Sequence, residues 1–141
     1  MKGFTILELL LSIAIIVILT GITIPFYSEY NKGSLQAESG IVVNTLRTAK
    51  ISAISAKDNS GWSVHFDQGK MIIFKGGSFG LRDVSFDKEI GISSGLKFSG
   101  VNDVYFSPFY GIPNKIGAVI MTGQDNIQKE FIINQKGVID Y

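Results

Sequence analysis

The fold is decided by the stretch KGFTILELLLSIAIIVILTGITIP, which covers residues 2–25. From Phe4 to Ile24 there are 21 residues, and Glu8 is the only charged one. A helix of that length rises about 1.5 Å per residue and reaches roughly 31 Å, close to the ~30 Å thickness of the hydrocarbon layer of a bilayer. The stretch therefore predicts a helix that spans a membrane.

Glu8 has two compatible interpretations. Thr5 and Glu8 match the S/T-x-x-E pattern of a capping box, and an acid in the first turn also complements the helix dipole. If the chain is cut between Gly3 and Phe4, however, a positive amine is created at Phe4. Glu8 then becomes its partner, within one chain or between neighbouring chains. Such pairing would remove the cost of an isolated charge in an apolar layer, which is about 2.5–3.5 kcal/mol on insertion scales.

Residues 2–8 and the apolar run up to Pro25 resemble the N-terminal signal of type IV prepilins and type II secretion pseudopilins. The resemblance implies cleavage after Gly3, N-methylation of the new terminus Phe4, and a role for Glu8 in filament assembly. It also makes Pro25 the helix-bending proline. An interior proline removes one backbone hydrogen bond, so we expect a bend rather than a stop near Gly21 and Pro25.

The chain beyond Pro25 predicts an amphipathic helix that runs to about Ala56. One apolar stripe recurs at helical spacing and must be buried against the remainder of the chain. Its members are Leu35, Val42, Leu46, Ala49 and Ala53.

From Asp58 onward the apolar period changes from that of a helix to that of a strand. Trp62–Phe66 and Met71–Phe74 predict a hairpin around the turn residues 67–70. Further strands are expected at 82–86, 91–93, 96–99, 104–107, 118–122, 130–134 and 138–141. No other helical pattern of about ten residues remains for crossovers, which favours one antiparallel sheet or two small ones.

The predicted fold class is α+β and pilin-like, with one long N-terminal helix packed against an antiparallel β-rich body. The predicted segments are a cleaved leader at 1–3, a transmembrane half at 4–24, an amphipathic half at 25–57 and a body at 58–141. The segments 46–54, 61–64 and 136–138 are similar to the GspH/FimT family. That resemblance implies a minor pseudopilin of a type II secretion pseudopilus, or alternatively a minor pilin of a type IV pilus.

The same resemblance implies the partners and the location. The expected partners are prepilin peptidase, other pilin or pseudopilin subunits, the inner-membrane assembly platform and membrane lipid. The sole flanking cation, Lys2, favours a single-pass protein of the bacterial inner membrane with its N-terminus in the cytoplasm and its body outside.

The composition argues against an enzyme, a metal site and a cofactor. The chain has no cysteine, and its only histidine, His65, occupies an outward position of a predicted strand. The glycine-rich segment 76–80 lacks the lysine of a phosphate-binding loop. With 13 Lys and Arg against 12 Asp and Glu, no strong basic field suggests a nucleic-acid partner.

The segment YFSPFYGIP, residues 105–113, is dense in aromatic residues. Its composition suits a protein interface, but Tyr105, Phe106 and Phe109 could equally fill the core. Both interpretations remain open at this point.

Overall fold

The computed structural model describes residues 5–123 and 126–141, and within the helix it describes side chains at 6–20 and 35–54. The helix α1 covers Ile6–Ile54. The chain divides into two compact units, Met1–Ser34 and Leu35–Tyr141, so the two described segments of α1 belong to different units. Side chains of α1 are described in two segments, 6–20 and 35–54, and neither is a long apolar transmembrane helix, so the predicted transmembrane first half is corrected.

The predicted membrane span is wrong. Among the described residues, no helix is long and apolar enough to cross a membrane. The second described segment of α1, 35–54, carries Glu38, Arg47 and Lys50, whose charges would be costly in the hydrocarbon layer. The predicted location as a single-pass inner-membrane protein is overturned by the same finding.

The segment 35–54 packs as the sequence predicted. All five members of the apolar stripe are buried, at 5% exposure for Leu35 and 0% for the other four. They join the main core cluster together with strand residues such as Phe106 and Phe131. The helix ends at Ile54, two residues before the predicted end, and Ala56 takes the left-handed conformation with φ 46°.

The body contains eight strands in two four-stranded antiparallel sheets. Their bounds are β1 Trp62–Asp67, β2 Lys70–Lys75, β3 Lys88–Gly91, β4 Lys97–Gly100, β5 Asp103–Phe106, β6 Gly117–Thr122, β7 Gln128–Ile133 and β8 Ile139–Asp140. The strand orders are β3-β2-β1-β5 and β4-β6-β7-β8. The expectation of antiparallel pairing in one or two small sheets is confirmed.

The predicted hairpin is confirmed, since β1 and β2 pair in antiparallel register from Trp62 opposite Lys75 to Asp67 opposite Lys70. The predicted strand at 82–86 is wrong. Single 3-10 turns cover Phe79–Leu81 and Val84–Phe86 instead. The carboxylate of Asp83 accepts a hydrogen bond from the Ser85 backbone N–H, and this local capping competes with an extended strand.

Candidate functional site

The first described turn of α1 is a capping box. The backbone N–H of Glu8 donates to Thr5 Oγ1 at 3.3 Å, and the Glu8 carboxylate lies 3.5 Å from the Thr5 backbone nitrogen. These are the two reciprocal contacts that the S/T-x-x-E pattern predicts, so the capping interpretation of Glu8 is confirmed. Capping leaves the charge of Glu8 in place and exposed.

The remaining processing residues are not tested by this geometry. Gly3 and Phe4 lie outside the described residues, so the cut between them and the pairing of Glu8 with a Phe4 amine stay predictions. Gly21 and Pro25 both lie inside the helix Ile6–Ile54. The bend expected there also stays a prediction.

Segment 6–20 presents an uncovered apolar surface on every side. Eleven large apolar side chains between Ile6 and Leu19 are exposed, from 49% at Ile15 to 80% at Ile6. Exposed apolar surfaces of this extent mark sites of interaction in proteins. This segment, with Glu8 as its only charge, is the first candidate functional surface.

The hydroxyl groups of this segment are satisfied by its own backbone. Ser12 Oγ donates to the Glu8 carbonyl at 2.8 Å, and the Thr20 hydroxyl donates to the Ile16 carbonyl. Because carbonyl groups of the same helix accept these hydrogen bonds, neither hydroxyl hinders burial in an apolar environment. The Glu8 carboxylate therefore presents the main electrostatic obstacle to covering the segment.

The residues of the aromatic segment 105–113 differ in burial, so neither of the two interpretations left open above applies to all of them. Phe106 is fully buried in the core and Tyr105 is half-buried, whereas Phe109 and Tyr110 are 63% and 76% exposed. The prediction that Phe109 could fill the core is therefore wrong. Phe109 and Tyr110 are exposed, and their role in a protein interface stays a prediction.

The loop that carries these two rings is anchored on the end of α1. The Phe109 backbone N–H donates to the Ala53 carbonyl at 3.0 Å, and the Gly111 N–H donates to the Ser107 carbonyl at 2.9 Å. Gly111 has φ 63°, and a Cβ there would lie 2.7 Å from Ile54 Cγ1. Local bonds and close packing fix the backbone while both aromatic side chains face outward. This loop is the second candidate functional surface.

His65 is held in place by a hydrogen bond to Asp103 and by a stacked aromatic ring. Its Nδ1 lies 2.5 Å from Asp103 Oδ1, so Nδ1 carries the proton that the carboxylate accepts. Its ring stacks on Phe79 with centroids 3.7 Å apart, and the Arg82 guanidinium covers Phe79 at 3.6 Å. The sequence interpretation missed this cluster because it began the predicted strand at residue 104 and so left Asp103 outside it.

A cleft of about 340 Å³ opens beside His65. Its lining is largely polar and carries charges of both signs: His65, Phe66, Asp67, Gln68, Lys97, Phe98 and Asn102. Within the described part of the chain, no group of three or more His, Cys, Asp or Glu residues could hold a metal ion. The cleft thus offers hydrogen-bonding groups without a chemical feature that selects one class of ligand.

No protein-family model matches this chain, and no solved structure matches it. The resemblance to pilins and pseudopilins therefore rests on the sequence motifs.

Proposed function

We propose that this chain is a filament subunit of the pilin type, a minor pseudopilin of a type II secretion pseudopilus. In this proposal prepilin peptidase cuts after Gly3, and the subunit assembles through its N-terminal helix. The observation that carries the proposal is the uncovered apolar surface of segment 6–20 with its single carboxylate.

Covering that surface provides the driving force for assembly. Burial of one large aliphatic side chain contributes about 1.5–3 kcal/mol, and eleven such side chains are exposed between Ile6 and Leu19. Equivalent segments of neighbouring subunits can cover one another, since each presents apolar side chains on all sides. A filament core would bury them without any change in the body.

Glu8 gives such a core its register. A carboxylate buried without a partner is strongly unfavourable, so packing that leaves Glu8 unpaired is disfavoured. The amine that cleavage would create at Phe4 supplies a charge of the opposite sign. Pairing of Glu8 with the Phe4 amine of a neighbour would select one stagger between adjacent subunits.

The proposal assigns assembly to the N-terminal segment and leaves the body as a separately packed unit. Leu35–Tyr141 forms its own compact unit, with a core made of segment 35–54 and both sheets. Because this core draws no member from segment 6–20, the apolar N-terminal segment remains available for assembly.

Processing is tested by producing the full chain in cells with and without prepilin peptidase and measuring its intact mass. We expect the peptidase to remove Met1 to Gly3 and to add one methyl group at Phe4. A Gly3→Val variant serves as the uncleaved control. A wild-type chain that keeps its first three residues in the presence of active peptidase would overturn the proposal.

Assembly is tested with two substitutions at Glu8. Glu8→Ala removes both the cap and the charge, whereas Glu8→Gln keeps a capping side chain and removes only the charge. We expect both variants to be cleaved normally and to be incorporated into filaments at least about tenfold less than wild type. Normal incorporation of Glu8→Gln would limit Glu8 to its capping role.

The copy number distinguishes the alternative, a minor pilin of a type IV pilus. Quantitative mass spectrometry of filaments sheared from cells measures this subunit relative to the main subunit. The cleaved form at low stoichiometry in surface pili would favour the minor pilin. Its absence from sheared filaments, with the cleaved form present in the cells, would favour the pseudopilin.

A further inference from the structure

Two apolar residues of β2 are buried outside the main core. Ile72 is 3% exposed and Phe74 is 0% exposed, yet among the described residues neither belongs to the main core cluster, which contains their neighbour Ile73. Successive side chains of a strand point to opposite faces of the sheet, and Ile72 lies directly opposite His65. Ile72 and Phe74 therefore share a face with His65, which we call the outer face of the sheet β3-β2-β1-β5.

Residues 77–87 cross this outer face, and we call them the strap. The Phe79 ring stacks on His65 with centroids 3.7 Å apart and meets the Phe74 ring edge-on at 5.4 Å. The Arg82 guanidinium lies 3.6 Å from the centre of the Phe79 ring. Since two planar groups at that distance cannot share one face of the ring, His65 and Arg82 lie on opposite faces of it. Phe79 thus occupies an aromatic site whose floor is formed by His65 and Phe74.

The floor of this aromatic site is fixed independently of the strap. His65 bonds to Asp103 of β5 at 2.5 Å, and Phe74 lies in β2 opposite Ser63 of β1. Neither contact involves residues 77–87. The site would therefore remain formed if Phe79 left it, and a preorganised site binds a ligand at a lower cost in entropy.

The strap makes its hydrogen bonds internally. Arg82 donates to the Asp87 carboxylate at 2.8 Å and to the Phe79 carbonyl at 2.7 Å, and the Asp83 carboxylate accepts from Ser85. Within the described part of the chain, no hydrogen bond joins residues 77–87 to the rest of the body. Because the strap retains these bonds when it moves as one piece, its contacts with the body are those of side chains packed on it.

The strap is attached at a glycine pair and by two rings. The Gly76 N–H donates to the Gly61 carbonyl at 2.9 Å, and the next residue, Gly77, offers little steric hindrance to rotation of the backbone. Besides Phe79, the ring of Phe86 is half-buried against the main core. Opening therefore requires these rings to leave their contacts while the sheets stay intact.

The closed strap leaves some of its own groups unsatisfied. Asp87 Oδ1 is buried and lacks a hydrogen-bond partner among the described residues, although Oδ2 of the same carboxylate accepts from Arg82. A buried carboxylate oxygen without a partner is unfavourable, and opening would return it to water. Leu81 and Val84 are 90% and 68% exposed, so their burial does not hold the strap closed.

We propose that the strap is a displaceable cover and that the aromatic site beneath it accepts an aromatic side chain of a partner protein in place of Phe79. The present occupant defines the chemistry of that partner. It is an aromatic ring that stacks on His65, with a cation three residues further along that covers the other face of the ring, as Arg82 does. Phe79 blocks the site in the closed structure and so acts as an autoinhibitory contact. This inference concerns the body alone and does not depend on the proposed function.

Opening is measured by thiol labelling, because the chain has no cysteine of its own. Ile72→Cys places a thiol on the outer face, and Ile73→Cys places one in the main core as the matched control, since both isoleucines are 3% exposed. The full chain is used, with a nonionic detergent to cover segment 6–20, and urea midpoints correct for unequal destabilisation. We expect the thiol at position 72 to react at least about tenfold faster, because local opening needs less free energy than unfolding of the body. Equal labelling rates would overturn the proposal.

Phe79→Ala removes the ring that occupies the aromatic site. We expect it to accelerate labelling at position 72 by about tenfold or more and to leave labelling at position 73 unchanged. Leu81→Ala changes an exposed residue of the same strap and should alter neither rate. Acceleration at both positions would show that Phe79 supports the whole body and would overturn its role in a separate cover.

The occupant is tested with a synthetic peptide of residues 76–83, GGSFGLRD, added to the chain that carries Phe79→Ala and Ile72→Cys. At about 1 mM, the order of the effective concentration of a short tethered segment, we expect the peptide to slow labelling at position 72 by at least about threefold. The same peptide with Phe79→Ala is the control and should not slow labelling. Equal effects of the two peptides, or no effect of either, would overturn the aromatic site.

The same peptide also tests the autoinhibitory contact. In the chain that retains Phe79 and carries only Ile72→Cys, the strap competes with the peptide, so we expect a smaller slowing of the labelling. Equal slowing in the two chains would show that Phe79 does not block the site and would overturn the autoinhibitory role.

Discussion

The two described segments of α1 have the same backbone and opposite surfaces. In segment 6–20 all eleven large apolar side chains are exposed, whereas in segment 35–54 a stripe that includes Leu46 and Val42 is fully buried. The difference follows from the sequence pattern. Apolar residues surround the first segment, but they follow one helical face of the second.

The comparison shows that periodicity, rather than apolar content, determines how a helix is covered. A stripe needs one neighbouring surface, which the two sheets of the same chain provide. A helix that is apolar on all sides needs neighbours on every side, and the large apolar side chains of segment 6–20 are exposed. Segment 35–54 therefore contributes to folding, whereas segment 6–20 is the part to which our proposal assigns assembly.

The largest expected difference in stability between the two segments is revealed by truncating one leucine in each. Leu46 is 0% exposed, so Leu46→Ala should lower the free energy of unfolding by about 2–5 kcal/mol and the melting temperature by roughly 10 °C or more. Leu10 is 63% exposed, so Leu10→Ala should change that free energy by less than about 0.5 kcal/mol.

Filament incorporation should reverse that order of effects. Leu10→Ala should reduce incorporation of a chain whose melting temperature is normal. Thermal unfolding followed by circular dichroism, together with quantification of filaments, measures both properties. If Leu10→Ala destabilised the body as much as Leu46→Ala, the proposed division of roles would be wrong.

A smaller effect on stability is expected from the polar groups of the two segments, which differ in the partners that they bond to. Ser12 bonds to its own helix, whereas Lys50 reaches carbonyl groups of the turn at 136–137. Lys50→Met keeps the aliphatic stem but removes both hydrogen bonds, so it should cost about 1 kcal/mol of stability.

Arg47→Met is the matched control for that substitution. Arg47 is exposed on the same helix, and its replacement should leave the denaturant midpoint nearly unchanged. Urea unfolding of both variants measures the difference. Equal midpoints for the two variants would show that Lys50 does not stabilise the turn.

Local periodicity predicted much of the body. The stripe on segment 35–54 and the hairpin of β1 and β2 both follow from residue spacing alone, and the structure confirms them. The predicted membrane span failed although its apolar run of 21 residues satisfies the length rule, because among the described residues no helix is both long and apolar enough to cross a membrane.

Features that depend on pairing between distant residues could not be predicted. His65 meets Asp103 because β1 pairs with β5, placing the two residues in register. The sequence pattern placed the start of that strand at Val104 and so left Asp103 in a turn. Likewise, the exposure of Phe109 depends on a backbone bond to Ala53, which no local pattern contains.

The smallest expected effect lies outside both helical segments, at Asp83. Hydrogen bonds from the Ser85 hydroxyl and the Ser85 backbone N–H lower the pKa of the Asp83 carboxyl below its ordinary value. A lowered folded-state pKa stabilises the fold above the unfolded-state pKa, and this stabilisation is lost as the pH falls through the folded-state pKa.

The Ser85 hydroxyl can be removed without touching the carboxyl itself. Ser85→Ala should raise the pKa of Asp83 toward its ordinary value, whereas Ser85→Thr keeps a hydroxyl and should preserve most of the lowering. A carboxyl-detected NMR titration measures both variants. Because this site is fully exposed, the melting temperature of either variant should match wild type at neutral pH. An unchanged pKa in Ser85→Ala would assign the whole effect to the backbone N–H.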